Sequence, residues 1–196
     1  MSEIGDTLIV NEKLNPSLTK NALVAHDLPT LTVSNMRSLF PKIRNYTLDF
    51  LERSVDVGIC CEIWEKKEDK IHLKEIEHLL EMHGLSYHSS TRPTQRGGGT
   101  AVIVNSKRFR SRELKEIKVP SNLEVVWVLA KPVNNNAEIK NIILCSFYSP
   151  PHARSKLKNE LADHIVGTLS MLTVKHENSA IFVCAVTEII LILLLF

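Results

Sequence analysis

This sequence of 196 residues has few of the features that would by themselves indicate a function. The formal net charge at pH 7 is only +2, so the total charge does not indicate a polyanionic partner, and any argument for nucleic-acid binding must come from local clusters. The sequence has no internal repeat, no low-complexity segment and no linker rich in Pro, Gly or Ser. It also lacks the basic and then apolar pattern of a secretory signal peptide. We therefore expect one intracellular domain, nuclear or cytoplasmic, of the α/β class.

Cysteine is scarce as well, and its positions exclude the two usual roles of cysteine patterns. All four cysteines lie inside apolar runs: Cys60, Cys61, Cys145 and Cys184. Their spacing is neither that of a disulfide framework nor that of a zinc site. We predict four buried, reduced thiols that act as small apolar side chains.

No apolar run is long enough for a membrane span of roughly 20 residues. The nearest candidate is at the end of the sequence, where residues 181–186 and 189–196 are apolar but Thr187 and Glu188 interrupt them. The pattern predicts a buried strand to Val186 and then an apolar tail over 187–196. A tail anchor in a membrane is the alternative interpretation.

The remaining chain divides into a flexible leader over 1–27 and one folded unit over 28–186. Two short apolar runs, 31–35 and 56–62, enclose a helical pattern with Ile43, Thr47, Phe50 and Leu51 on one face. This order predicts a parallel strand-helix-strand unit. Further strands are predicted over 85–90, 100–105, 113–119, 123–130, 139–148 and 180–186. Further helices are predicted over 68–82, with Ile71, Ile76, Leu79 and Leu80 inward, and after Pro151, with Leu157, Leu161, Ile165, Leu169 and Leu172 inward.

Polar residues end three of these predicted strands, and they are the candidate site residues. Asn35 and Glu62 end the two parallel strands, whose carboxyl ends open onto the same edge of the sheet. A carboxylate directly after five apolar residues is costly unless a cation or a hydrogen-bond donor meets it. Taken alone, Glu62 could equally cap the next helix, and Asn35 could be an ordinary turn residue.

Five segments in order strengthen the functional interpretation: Ser34-Asn35-Met36-Arg37-Ser38-Leu39, Cys61-Glu62-Ile63-Trp64, Gly97-Gly98-Gly99-Thr100-Ala101-Val102, Leu123-Glu124-Val125-Val126-Trp127-Val128 and Phe147-Tyr148-Ser149-Pro150-Pro151. Together they resemble the endonuclease/exonuclease/phosphatase superfamily, and most closely the endonuclease domain of non-long-terminal-repeat retrotransposons. The resemblance covers about Leu31 to Cys184.

The resemblance implies a four-layered α/β sandwich and Mg²⁺-dependent hydrolysis of a phosphodiester, which in retroelements nicks target DNA to prime reverse transcription. By motif, Glu62 would be a metal ligand, Asn35 would position the metal-bound phosphate or that ligand, and Tyr148 would contact the scissile phosphate. The implied partner is DNA, with no small-molecule cofactor and no membrane. The oligomeric state cannot be inferred from the sequence.

The sequence departs from the family pattern after Cys184. The family has Gly-Asp-x-Asn there, and this sequence has Ala185-Val186-Thr187-Glu188, so Val186 takes the place of the Asp that orients the attacking water. The later Ser-Asp and Asp-His segments of the family do not occur. We therefore expect a truncated, inactive, partial sandwich. The alternatives are a non-catalytic DNA-binding remnant and a small membrane-associated protein.

Two smaller patterns have simpler interpretations. The run Arg96-Gly97-Gly98-Gly99 leads into a strand rather than a helix, so it predicts a tight turn and not a phosphate-binding loop. The basic segment 106–118 predicts a solvated hairpin, with non-specific contact to a DNA backbone as the alternative. Glu124 begins a predicted strand, but its partner cannot be inferred from the sequence.

Overall fold

The computed structural model describes residues 8–9, 28–66, 68–91, 97–134, 139–150, 152–176, 179–184 and 192–195. Over these residues the chain forms two five-stranded sheets and three α-helices, so the predicted α/β class is confirmed. The strands are β1 Leu8–Ile9, β2 Leu31–Asn35, β3 Val57–Cys61, β4 Leu85–Ser90, β5 Thr100–Asn105, β6 Phe109–Glu113, β7 Glu124–Pro132, β8 Asn141–Tyr148, β9 Ser179–Cys184 and β10 Ile192–Leu195. The helices are α1 Ile43–Glu52, α2 Lys70–Met82 and α3 Ser155–Lys175.

The first sheet has the order β1-β2-β3-β5-β4, and its β2-β3 pair is parallel as predicted. Helix α1 connects these two strands and buries Ile43, Thr47 and Phe50. Two predicted inward residues are exposed instead: Leu51 is 36% exposed and Ile71 is 71% exposed. Ile71 precedes the buried Ile76 by five residues, and this spacing places the two side chains on different faces of a helix.

The second sheet has the order β10-β9-β8-β7-β6, and α3 connects the parallel strands β8 and β9. The strand predicted over 113–119 is wrong, because the strand here is β6 and it ends at Glu113. After it, Leu114 and Ile117 are both buried, and the N–H of Ile117 donates to the carbonyl of Leu114. A turn therefore brings these two apolar residues to the same side, which the alternation of a strand does not do.

Three apolar clusters show that the fold has four layers. Alternate residues of both sheets, such as Ile59 and Leu144, pack against each other between the sheets. The other face of the second sheet packs on α3, and the other face of the first sheet packs on α1 and α2. The order of layers is therefore helices, sheet, sheet, helix. All four cysteines are buried and free, as predicted.

The ends of the chain contribute one short strand to each sheet. Strand β1 pairs antiparallel with β2, and β10 pairs antiparallel with β9. The rest of the predicted leader, residues 1–7 and 10–27, lies outside the described residues. So do residues 185–191 and 196 of the predicted strand end and tail. Within the described part of the chain, no helix combines the length and the apolar character that a membrane crossing requires.

Candidate functional site

The carboxyl ends of β2 and β3 bring Asn35 and Glu62 to one edge of the first sheet. Asn35 pairs in register with Cys61, and the loops that follow the two strands run side by side. The N–H of Ser38 donates to the carbonyl of Glu62 at 2.9 Å. Glu62 itself does not cap α2, because Asp69 holds that position and accepts the N–H of His72.

These loops contain backbone conformations that side chains rarely adopt. Of the five described residues other than glycine with positive φ, four lie here: Arg37 at 44°, Ser38 at 82°, Glu62 at 52° and Trp64 at 63°. Such conformations cost of order 1–3 kcal/mol each and concentrate at ligand-binding and active sites. Their grouping around Glu62 therefore marks this edge as a candidate site.

The second sheet adds Tyr148 and Glu124 to the same edge. The two residues are partners in register on β8 and β7. The Tyr148 hydroxyl donates to Oε1 of Glu62 at 3.4 Å, and a carboxylate oxygen of Glu124 accepts the N–H of Gly99. The edge formed by Asn35, Glu62, Glu124 and Tyr148, called the candidate edge below, therefore joins both sheets.

Below the candidate edge, the packing between the sheets becomes polar. The Thr100 hydroxyl donates to the carbonyl of Cys60 at 3.2 Å and is hydrogen-bonded to the Ser146 hydroxyl. The Cys61 thiol lies 3.5 Å from the carbonyl oxygen of Phe147 on the opposite sheet. These side chains are fully buried, and buried polar groups that bond to one another fix the relative position of the elements that carry them.

Two of the buried thiols, Cys60 and Cys184, are not in the form that binds metals. Burial raises the pKa of Cys60 to about 12, and burial also raises that of Cys184 to about 12. Metal coordination requires a thiolate, so at neutral pH both sulfurs remain protonated. The donors that Glu62 and Asn35 offer are oxygen atoms.

The donor chemistry at the candidate edge fits Mg²⁺, which takes oxygen ligands and usually keeps water and substrate phosphate among them. Glu62 supplies a carboxylate and Asn35 supplies an amide oxygen, which also accepts the N–H of Arg37 at 3.3 Å. Among the described residues, no three His, Cys, Asp or Glu side chains come together as a complete metal site. The protein ligands for Mg²⁺ would thus be Glu62 and Asn35, and that assignment stays a prediction.

Three residues that support the candidate edge were not predicted from the sequence. Thr100 and Ser146 looked like ordinary strand residues, and only the packing of one sheet on the other reveals their bond. The third is Glu65, which lies three residues after Glu62 and is only 6% exposed, with its Oε1 accepting the N–H of Phe40 at 2.9 Å. The available signal for Glu65 was an acidic residue in the short segment between the predicted strand over 56–62 and the predicted helix over 68–82.

Comparison with known proteins identifies the fold. No family model matches the sequence, and no curated protein sequence matches it. Solved structures match: the human Nocturnin catalytic domain has 12% identity and a TM-score of 0.58, covering 91% of this chain and 65% of that chain. An endonuclease/exonuclease/phosphatase from Bacteroides vulgatus has 9% identity and a TM-score of 0.55, covering 79% of this chain and 64% of that one.

The endonuclease domain of TRAS1, a telomere-specific non-LTR retrotransposon, is also similar, with 12% identity and a TM-score of 0.49, covering 79% of this chain and 59% of that domain. The present chain thus spans about three fifths of the length of these structures. Its fold is that of the endonuclease/exonuclease/phosphatase superfamily, as the sequence resemblance predicted.

Proposed function

We propose that this chain is an endonuclease-like domain of the retrotransposon type that binds DNA phosphates at the candidate edge with Mg²⁺ but does not nick DNA by itself. The observation that carries the proposal is the hydrogen bond between Tyr148 and Glu62, which joins the two sheets where the strands end. The fold and the five sequence segments support the class of reaction, and the departure after Cys184 supports the loss of hydrolysis.

Each residue of the edge has chemistry suited to a phosphodiester. A bound Mg²⁺ supplies positive charge to the phosphate oxygens. Glu62 holds the cation as a carboxylate ligand, and Asn35 presents its amide oxygen from the neighbouring strand. The Tyr148 phenol has one uncharged O–H donor, which would turn from Glu62 to an oxygen of a bound phosphate.

Hydrolysis requires more than phosphate binding. In the family pattern an Asp orients the attacking water, and the sequence has Val186 in its place. A valine side chain neither accepts a proton nor hydrogen-bonds to water. Catalytic groups act as a unit, so the loss of one removes most of the rate enhancement that the others provide. We therefore expect binding to persist without turnover.

The basic segment is a weaker candidate for DNA binding. Arg108 is paired with Asp56 at 3.1 Å, and Arg112 is paired with Glu116 at 3.1 Å. The positive charges of these arginines are thus partly neutralised by carboxylates of the same chain. This pairing favours the predicted solvated surface over a dedicated DNA-binding surface.

The test combines plasmid nicking with oligonucleotide binding by the full chain. Supercoiled plasmid is incubated with the protein and Mg²⁺, and a fluorescein-labelled oligonucleotide is titrated in Mg²⁺ and in EDTA. We expect no nicking above the EDTA control and an oligonucleotide affinity that Mg²⁺ increases. Glu62→Ala should abolish this increase, whereas the control Glu75→Ala, at an exposed position on α2, should retain it.

Two results would overturn the proposal. Nicking that requires Mg²⁺ and disappears in Glu62→Ala would show that the site is catalytically complete. Equal affinities in Mg²⁺ and EDTA would show that the candidate edge does not bind phosphate through a cation.

A further inference from the structure

The loop that follows β2, residues 36–40, has every one of its backbone N–H groups hydrogen-bonded. The acceptors are, in chain order, the carbonyl of Cys61 at 2.8 Å, Oδ1 of Asn35 at 3.3 Å, the carbonyls of Glu62 and Ile63 at 2.9 Å each, and Oε1 of Glu65 at 2.9 Å. Four of the five acceptors therefore belong to residues 61–65. The loop that follows Asn35 is therefore hydrogen-bonded at four positions to the segment that carries Glu62.

Glu65 accepts the last of these hydrogen bonds. It is the only residue of segment 61–65 that accepts one of them with its side chain. Its side chain is almost completely buried, and its Oε2 has no hydrogen-bond partner among the described residues. Burying a carboxyl group with one oxygen unsatisfied is costly. The phosphate chemistry proposed above does not use Glu65, so this buried group needs a separate explanation.

The strained backbone of the two loops explains why a carboxyl group is buried at this position. Arg37 and Ser38 lie between Asn35 and Phe40, and both have positive φ. Strained conformations persist only when the surrounding contacts determine them. The bond from Phe40 to Glu65 fixes the far end of this strained stretch, beyond the ladder of carbonyl acceptors.

We infer that Glu65 is a positioning residue, which holds the Asn35 loop against the Glu62 loop and so sets the separation of the two oxygen ligands. The inference rests on the proposed function, because it concerns the geometry of that site. A metal or phosphate site needs its ligands held within about 0.5 Å of the productive arrangement by such supporting contacts. Glu65 acts through the loop, by the hydrogen bond that it accepts from the N–H of Phe40.

The test compares Glu65→Gln, which keeps an oxygen acceptor, with Glu65→Leu, which fills the same space without one. Amide hydrogen exchange is measured on the full chain, with the amide of Ile59 in β3 as an internal reference for global unfolding. We expect the Phe40 amide to exchange at least 10-fold faster relative to this reference in Glu65→Leu and at the wild-type rate in Glu65→Gln. Glu65→Asp, which withdraws the carboxylate by one methylene, gives the same readout if the leucine variant does not fold.

The second readout is the affinity for the labelled oligonucleotide in Mg²⁺. It should fall at least fivefold in Glu65→Leu or Glu65→Asp and stay within twofold of wild type in Glu65→Gln. Glu75→Leu on α2 is the matched control and should leave both readouts unchanged. Unchanged Phe40 exchange in the leucine and aspartate variants, or faster exchange with unchanged affinity, would overturn the inference. Failure of the wild type to bind in Mg²⁺ would instead overturn the proposed function, and the exchange data would still test the contact.

Discussion

The hydroxyl of Tyr148 lies 3.4 Å from Oε1 of Glu62, although the two residues are 86 positions apart and belong to different sheets. Glu62 follows the parallel strand β3, and Tyr148 ends β8. The contact therefore depends on how the two sheets pack, and the geometry of the candidate edge is a property of the whole sandwich rather than of one loop.

Removing the Tyr148 hydroxyl should weaken binding without unfolding the protein. In Tyr148→Phe we expect oligonucleotide affinity in Mg²⁺ to fall about 3- to 10-fold, because a hydrogen bond contributes about 0.5–1.5 kcal/mol. Stability against urea should change little, since the side chain is only half-buried. In a Glu62→Ala background the same substitution should have no further effect. Independent, additive losses would show that the two residues do not act on one ligand.

The polar contact beneath the candidate edge should show coupling between the sheets. Thr100→Val leaves the Ser146 hydroxyl buried without that partner, and we expect it to lower the free energy of unfolding by about 1–3 kcal/mol. Ser146→Ala alone should also destabilise. The double variant should lose less than the sum of the two single losses by at least about 0.5 kcal/mol. Urea unfolding of the four proteins measures this coupling, and strict additivity would contradict it.

Two glycines should respond in opposite directions to alanine. Gly99 has a φ of 79°, and a Cβ there would lie 2.7 Å from Cγ1 of Ile63. We expect Gly99→Ala to destabilise by about 1–3 kcal/mol, since a strained conformation and a close contact both oppose it. Gly167 lies inside α3 with nothing within 4 Å of an added Cβ, so Gly167→Ala should stabilise by about 0.5–1 kcal/mol. Thermal unfolding distinguishes the two variants. Equal shifts in Tm would contradict the strained conformation and close contact assigned to Gly99.

The ion pair between Arg108 and Asp56 should make stability depend on pH. Asp56 is buried, and burial raises its pKa, while the N–H of Thr30 and the Arg108 guanidinium oppose that rise. Without Arg108 the pKa of Asp56 should rise further. A folded carboxyl with a raised pKa holds its proton more tightly than the unfolded chain does, so stability is lost as pH rises.

We therefore expect Arg108→Gln to destabilise by about 1–2 kcal/mol at pH 8 and by less at pH 5. Urea unfolding at both values measures the difference. Arg110→Gln, at an exposed position on β6, is the matched control and should be nearly neutral at both. A loss for Arg108→Gln that is the same at pH 5 and pH 8 would show that the charge of Asp56 is not involved.

Glu65 should produce a second pH effect of the same sign. Burial raises the pKa of Glu65 from 4.5 to about 7, despite the hydrogen bond from Phe40 and the nearby His72. Between these values the folded state retains a proton that the unfolded state releases, so the contribution of Glu65 to stability declines as pH rises towards and through 7. Glu65→Gln carries no titrating group, so its stability relative to wild type should increase from pH 5 to pH 8. A difference that is constant with pH would contradict the raised pKa.

Much of the fold was readable from the sequence, because buried strands and amphipathic helices leave periodic patterns. The parallel pair β2 and β3 followed from two short apolar runs around one helical pattern. The errors arose where an apolar residue did not fit the helical spacing and where a turn replaced a predicted strand. Ile71 is apolar but lies on the exposed side of α2, and Leu114 is buried by a turn rather than by a strand.

The candidate site was only partly readable. Asn35, Glu62 and Tyr148 were indicated because each ends a strand and fits a motif, and the structure brings them to the same edge. The part played by Glu124 was not readable, because its partner Gly99 is distant in sequence and is contacted through the backbone. Contacts between sheets leave no periodic signal in a single sequence, so such partners emerge only from the assembled fold.

The separation of Tyr148 from Glu62 along the chain also has a consequence for biosynthesis. At a translation rate of about 5–20 residues per second, the ribosome adds Tyr148 roughly 4 to 17 s after Glu62. During this interval the first sheet can begin to form, but its companion strand β8 is not yet complete and cannot cover the inner face. The nascent chain therefore exposes an apolar sheet surface for seconds before the candidate edge is complete.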